Sequence, residues 1–358
     1  MKVWTGIKVF AVVLVAVLTN ADRAQADVMT YFAEPPAQPV EIFGNAWKVF
    51  ADGPIDPGAP ERFKKLIATN KIPPNSVIFL NSPGGNVYAA LELGRLIRAN
   101  HFFTEVMKRG EAETTFGQRR FKSIPAICLS ACTLSYIGGV FRWLNAKSVY
   151  GVHRFFGSDS FGPDAAQVVS SAVVQYIREM GVSPDLFEEM TKAGKDEVNV
   201  LSAARLEAMG VSNNGVEKAR WSLESTGVEM YLKGERNTHH GINKFMLVCA
   251  QKTIFLYVVF DPQGRGQEVM NFGAQSLFVD DQSFPITSLK DGPTKLVNGW
   301  INAQYRLTPD LIQRISSAKS VGVAFQMAYD APMFLGFIGM ELGDGRQKLA
   351  GLLATCRR

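Results

Sequence analysis

Residues 78–98 read IFLNSPGGNVYAALELGRLIR, and they decide the fold. The apolar run from Ser76 to Leu80 predicts a strand, and Asn81-Ser82-Pro83-Gly84-Gly85 ends it in a turn. Val87, Ala90, Leu91, Gly94 and Ile97 then recur at helical spacing, while Glu92, Arg95 and Arg98 fall on the other side. A strand that feeds a glycine turn and then a helix is an α/β unit.

The same cycle extends outward from this stretch. Upstream, Trp47 to Ala51 predicts a strand, Gly53-Pro54 and Pro57-Gly58 punctuate, and Glu61 to Thr69 is amphipathic. Downstream, a strand is expected over Phe102 to Met107, followed by a polar stretch, Lys108 to Lys122, expected as an exposed flap or loop. Ile124 to Cys128 and Cys132 to Ile137 are apolar around the turn Leu129-Ser130-Ala131, and Gly138-Gly139 closes a short helix. Ser148 to His153 predicts the next strand. Ala165, Val169, Ala172, Val173, Tyr176, Ile177 and Met180 mark a helix ending at Gly181, and Leu201 to Val211 completes the pattern. Lys233 to Asn243 (KGERNTHHGIN) is expected to be a linker. Beyond it, Phe245 to Cys249, Thr253 to Phe260, Ser276 to Val279 and Val321 to Ala328 predict strands, with a helix near Pro309 to Ala318. The expected organisation is therefore an N-terminal segment 1–26, a lead segment 27–46, an α/β domain 47–232, a linker 233–243 and a smaller β-rich domain 244–358.

Composition agrees with a folded body. Of 358 residues, 47% are hydrophobic and 20% charged, which excludes wholesale disorder, collagen repeats and a coiled coil. The 38 Lys and Arg against 33 Asp and Glu give a charge of +5, too mild for a nucleic-acid partner. Met1 to Ala26 carries Lys2 and Lys8, an apolar core from Val9 to Leu18, and Ala24-Gln25-Ala26 before Asp27. This is the pattern of a cleaved export signal, with a core too short to span a bilayer well. Cleavage would remove Lys2, Lys8, Arg23 and Asp22 and leave a mature charge of +3. The expected location is periplasmic, with no stable membrane span after cleavage.

An oxidising compartment permits disulfides. Cys249 is expected to pair with Cys356, closing the C-terminal segment on itself. Cys128 and Cys132 could bridge as well, although C-x3-C across a tight turn leaves that pairing open. The four His are His101, His153, His239 and His240, and no zinc or calcium motif is present, so no metal site is expected.

Three pieces of the α/β region fit one chemistry: the Ser82-Pro83-Gly84-Gly85 turn, Ser130 on a turn opening a helix, and His153 at a strand end. Acyl hydrolysis needs a serine beside a base and preorganised N–H donors for the oxyanion. Gly84 and Gly85 let backbone approach a substrate closely, and the Ala131 amide, just after Ser130, can supply a second donor. His153 would take the hydroxyl proton and return it to the leaving group. No cofactor is needed. Taken singly, Ser130 also suits a helix cap and His153 a strand-end histidine; their order and spacing together favour a site.

At these residues the sequence resembles the ClpP/crotonase superfamily, and within it exported ClpP-like and signal-peptide-peptidase-like serine peptidases. The resemblance covers about residues 47–211 and rests on IFLNSPGGNVYAALELGRLIR, AICLSACTLSYIGG, YGVHRF and LSAARLEAMGV. It implies a crotonase-type spiral of ββα units, assembly into homo-oligomers, a peptide or protein substrate, Ser130 as nucleophile and His153 as base. The family's acid stands three residues before LSA, and that position is Val198. Asp196 or Glu197 could take the role after a small shift, Asn199 could orient the imidazole, or the pair could work without a third member. The rival function is a ClpP-like scaffold that no longer catalyses and binds peptides or a protein partner. Acyl-CoA chemistry ranks behind both, because it leaves Ser130 and His153 without a purpose.

Overall fold

The computed structural model describes residues 28–36, 46–115, 118–154, 163–194, 197–227, 229–289, 293–331 and 333–356. The expected export signal and Asp196 lie outside the described residues.

Strands and helices alternate in the first part of the chain: β1 (Thr30–Glu34), β2 (Lys48–Asp52), α1 (Ala59–Asn70), β3 (Val77–Asn81), α2 (Val87–Ala99), β4 (Phe103–Glu105), β5 (Met107–Thr115), β6 (Gln118–Pro125), β7 (Ile127–Leu129), α3 (Cys132–Ile137), β8 (Arg142–Trp143), β9 (Val149–Val152), α4 (Pro163–Glu179), α5 (Asp185–Lys192), β10 (Asn199–Val200) and α6 (Ala203–Ala208). One sheet has the order β1-β2-β3-β4-β8, parallel from β2 to β8, with β1 antiparallel at its edge. The lead segment thus contributes a strand of its own. A second sheet, β10-β9-β7, meets the first where Ser82 bridges Cys128, the Ser82 N–H donating to the Ile127 carbonyl at 2.9 Å. The Ser-Pro-Gly-Gly turn and the end of β7 are therefore neighbours.

β3 reads as an unbroken apolar run because both its faces are covered, the mark of a buried parallel strand. The Asn86 side chain caps α2 by accepting from the Ala89 N–H at 2.9 Å, a contact contributing about 1 kcal/mol. Ala90, Leu91, Gly94 and Ile97 face the core. Arg98, expected on the solvent side, instead turns over the helix end and donates to the carbonyls of Ile137, Gly138 and Gly139. Those carbonyls end α3, and the partial negative charge of a helix C-terminus draws in a guanidinium.

The second part is β-rich: β11 (Arg220–Ser225), β12 (Met230–Thr238), β13 (Gly241–Ala250), β14 (Thr253–Phe260), α7 (Gly266–Met270), β15 (Ala274–Val279), β16 (Gln282–Pro285), β17 (Lys295–Val297), β18 (Trp300–Arg306), α8 (Pro309–Ser317), β19 (Ser320–Gln326), β20 (Leu335–Glu341) and α9 (Gly345–Cys356). Two antiparallel sheets, β11-β12-β13-β14-β18-β17 and β16-β15-β19-β20, share a core running from Trp221 to Cys356, separate from the core of residues 29–211. Cys249 on β13 is bonded to Cys356 at the end of α9.

Two expectations are corrected here. Residues 233–243 are not a linker but most of the β12–β13 hairpin, with His239 and His240 at its tip. Every second residue of β12 faces inward, and the outward positions are polar and paired, as in Lys233–Glu224 at 2.7 Å. Of the expected flap or loop, residues 108–115 and 118–122 lie in the paired antiparallel strands β5 and β6. Their charge is held by aromatic faces: the Arg109 guanidinium lies 4.4 Å from the Phe32 ring centre and 4.9 Å from that of Phe121.

Candidate active site

The strand β7 is short because the chain reverses at once into α3. Ser130 makes that reversal with φ 54°, a left-handed conformation that costs a non-glycine residue of the order of 1–3 kcal/mol. Backbone bonds hold it there. The Ser130 N–H donates to the Gly151 carbonyl of β9 at 2.9 Å, and the Ser130 carbonyl accepts from the Thr133 N–H at 3.0 Å and the Thr133 hydroxyl at 2.6 Å. The Ser130 hydroxyl does not cap α3, and it makes no hydrogen bond among the described residues. Thr133 satisfies the turn instead, leaving the serine oxygen to other use. Cys128 and Cys132, two residues before and after Ser130, are bonded to each other.

Gly84 packs directly on this turn. A Cβ at Gly84 would stand 2.6 Å from the Ser130 Cβ and 3.1 Å from the Ala131 nitrogen, and the residue has φ 108°. Its N–H donates to the Ser82 hydroxyl at 3.1 Å, so its part here is close approach rather than donation to a ligand. Its carbonyl accepts from the Ile55 N–H at 2.7 Å, and the Ile55 carbonyl accepts from the Asn86 N–H at 2.7 Å. Between those two bonds the N–H of Gly85 makes no hydrogen bond among the described residues, and neither does that of Ala131. Ala131 is buried and Gly85 exposed. Two unspent backbone donors thus flank the serine turn.

His153 follows β9 directly. Because Leu129 pairs with Gly151 in the parallel β7–β9 ladder, Ser130 and His153 leave the same end of adjacent strands. No hydrogen bond between their side chains forms among the described residues; such contacts are often long before substrate binds. The His153 Nδ1 lies 2.7 Å from the Arg154 carbonyl. A carbonyl oxygen only accepts, so Nδ1 carries the hydrogen in that contact.

The candidates for a third member separate. β10 pairs antiparallel with β9, Asn199 with Val152 and Val200 with Gly151, and continuing that register sets Val198 across from His153. The Val198 Cγ1 would stand 2.4 Å from a Cβ on Gly151, which places Val198 on the face of β9 that His153 also occupies. Asn199 points the other way and donates to the Glu189 carboxylate at 3.1 Å and the Glu189 carbonyl at 3.2 Å, so it does not orient the imidazole. The Glu197 side chain is exposed, and its N–H donates to the Gly194 carbonyl at 3.4 Å.

Glu189 is the residue that sequence reasoning missed. Lys192 reaches it at 2.7 Å, and Arg205 at 2.9 Å, and these two with Asn199 hold its carboxyl below the usual carboxylate range. It anchors β10 to α5 and α6 and so fixes the register that brings Val198 to His153. Lys192 is a local i,i+3 neighbour on α5, but the Arg205 and Asn199 contacts come from later in the chain and leave no local signal in sequence.

Several residues lie elsewhere. Lys147 is exposed at a turn. His239 donates from Nδ1 to the Gly215 carbonyl at 3.1 Å and meets Trp143 edge-on. Among the described residues no group of three or more His, Cys, Asp or Glu converges as metal ligands would. A cavity of about 780 Å³ opens between the two cores beside Arg98, Arg142 and Arg236, and neither Ser130 nor His153 borders it. Burial pushes Arg142 and Arg236 down to about 10.

No protein-family model matches this chain, and no curated protein matches it. Solved structures similar to it include a mutant ClpP1 from Listeria monocytogenes, 19% identical, with a TM-score of 0.35, covering 46% of this chain and 88% of that one. No helix among the described residues is long and apolar enough to cross a membrane.

Proposed function

We propose that the chain is an exported serine hydrolase, a peptidase on a ClpP/crotonase-type spiral of ββα units. Ser130 attacks the scissile carbonyl, and His153 takes its proton through Nε2. The N–H groups of Gly85 and Ala131 receive the developing oxyanion, and the proton passes from His153 to the leaving amine. Water then repeats the cycle on the acyl-enzyme. The observation that carries this reading is the Ser130 turn itself: a non-glycine residue at φ 54° with its hydroxyl unspent and the Ala131 N–H beside it unspent. A strained residue persists where the surroundings hold it, and such residues gather at functional sites. The two disulfides suit an oxidising compartment.

A second reading has one observation in its favour. Val198 occupies the register position across from His153, so a peptide-binding scaffold without turnover would keep the groove and lack the carboxylate. A fluorophosphonate separates the two. The mature protein should be labelled at Ser130, with the adduct mapped by mass spectrometry, and Ser130→Ala and His153→Ala should each abolish it without lowering Tm. Folded wild type that stays unlabelled would hand the lead to the scaffold.

A further inference from the structure

We propose that the Cys128–Cys132 disulfide positions Ser130, so that the serine reacts much faster in the oxidised chain. This rests on the serine-hydrolase reading above. Cys128 is the middle residue of β7 and Cys132 the first residue of α3, and both are fully buried. Four extended residue steps would span about 13–14 Å, yet these two Cα atoms are 5.2 Å apart. The chain therefore folds back within Leu129, Ser130 and Ala131, and Ser130 has a positive φ of 54° in that reversal. The nucleophile's hydroxyl and the Ala131 N–H both lie inside the covalent ring.

The turn is also held by backbone bonds: Leu129 N–H to the Ser82 carbonyl at 3.0 Å, Ser130 N–H to the Gly151 carbonyl at 2.9 Å and Leu134 N–H to the Ala131 carbonyl at 3.1 Å, with Thr133 returning two bonds to the Ser130 carbonyl. α3 is short but wholly buried, and the Tyr150 and Tyr176 hydroxyls donate to its Thr133 and Leu134 carbonyls. None of these bonds ties the residues on either side of Ser130 to each other covalently, as the disulfide does. Without the bridge, Ser130 can relax towards negative φ, and that rotation moves both its side chain and the Ala131 N–H that follows. On the strand side Cys128 is fixed by pairing with Tyr150 and by the bridge to Ser82. The disulfide carries that fixity across to α3. Cys249–Cys356 closes a separation of 107 residues in the other core and has no contact with this turn, so it serves as an internal control.

Because both sulfurs are buried, the state is set while the chain folds rather than switched afterwards. Closing the ring takes two electrons and two protons from the two thiols and passes them to a small-molecule disulfide, which leaves as two thiols. A chain folded in excess dithiol keeps both thiols, and Ser130 reacts more slowly.

The test measures the second-order rate of fluorophosphonate labelling at Ser130 across pH, with Tm and near-ultraviolet dichroism as checks on folding. Oxidised wild type is compared with Cys128→Ala/Cys132→Ala and with the control Cys249→Ala/Cys356→Ala. Wild type refolded in excess dithiol provides a second route that needs no substitution. The expected result is labelling slowed roughly tenfold to a hundredfold in the Cys128/Cys132 variant, with the midpoint of its pH profile unmoved. The control pair should label within about twofold of wild type whatever its Tm. Labelling of the Cys128/Cys132 variant, or of the reduced folded chain, at the wild-type rate would overturn the proposal and leave the hydrolase reading intact. Oxidised wild type that does not label would overturn both.

Discussion

Replacing Val198 by Asp should speed the reaction at Ser130. The β9–β10 register sets residue 198 across from His153, where Cβ atoms of opposed residues stand about 4.5–5.5 Å apart. A carboxylate there can approach the imidazolium to about 4 Å, an attraction of about 4 kcal/mol at an effective dielectric constant of 20 and about 1 kcal/mol in bulk water. Val198 is 42% exposed, so the gain belongs near the lower end, about 1–2 kcal/mol. The imidazolium forms as the serine proton leaves, so that energy lowers the barrier and raises the rate roughly 5- to 30-fold. Val198→Asn has nearly the same shape and no charge, and it should give less than a third of the gain. Labelling rates at low and high salt provide the assay, because screening at about 1 M salt should erode the Asp effect and not the Asn one. A folded Val198→Asp protein that labels no faster than wild type would refute the register argument. Equal gains from Asp and Asn would refute the electrostatic one.

Two further outcomes are expected. Gly84→Ala puts a methyl group 2.6 Å from the Ser130 Cβ on a residue with φ 108°, so labelling should fall at least about 100-fold and stability by about 2–4 kcal/mol in urea. A variant that labels normally would show that the turn does not press on the nucleophile. Asp56 accepts from Arg62 and from the Met29 and Gly58 N–H groups, and chiefly the Arg62 bond lowers its carboxyl to about 2. A carboxyl that is more acidic folded than unfolded stabilises above its unfolded value and loses that stability as it is protonated. Urea midpoints should therefore fall between about pH 4 and pH 2 by an amount of the order of 1–2 kcal/mol, and Asp56→Asn should flatten that slope.

The α/β character was legible at residues 78–98 because burial there follows hydropathy. β3 is covered on both faces and is apolar from Val77 to Leu80, and α2 alternates as a half-covered helix should. The β12–β13 hairpin was not legible, for a physical reason. Its inward positions include Gly234 and Arg236. Gly234 makes room for the Trp221 ring, whose atoms would lie 2.5 Å from any Cβ there. Arg236 donates to the Ile338 and Gly339 carbonyls at 2.7 and 2.8 Å, about a hundred residues later in the chain. A polar stretch with partners that distant reads as a solvated linker.

The two halves of the candidate site differ in the same way, and the difference bears on how it would work. The nucleophile half is mostly local: a bridge of spacing four, a glycine turn, two backbone bonds and the Thr133 hydroxyl hold Ser130, and its residue types are visible in sequence. The base half depends on register. Whether Val198 or Asn199 faces His153 is settled by one residue of pairing between two-residue β10 and β9, and that pairing is held by Glu189 through Asn199 and Arg205. The spacing alone leaves residues 196–199 all eligible. On the proposed reading the preorganised half would supply oxyanion stabilisation and positioning, which in serine hydrolases keep a substantial catalytic effect even without a full triad. In the contact with the Arg154 carbonyl the His153 Nδ1 donates, which orients the ring, one of the tasks a triad acid would perform. The other task, stabilising an imidazolium charge, is the one that a carboxylate placed at position 198 by Val198→Asp would serve.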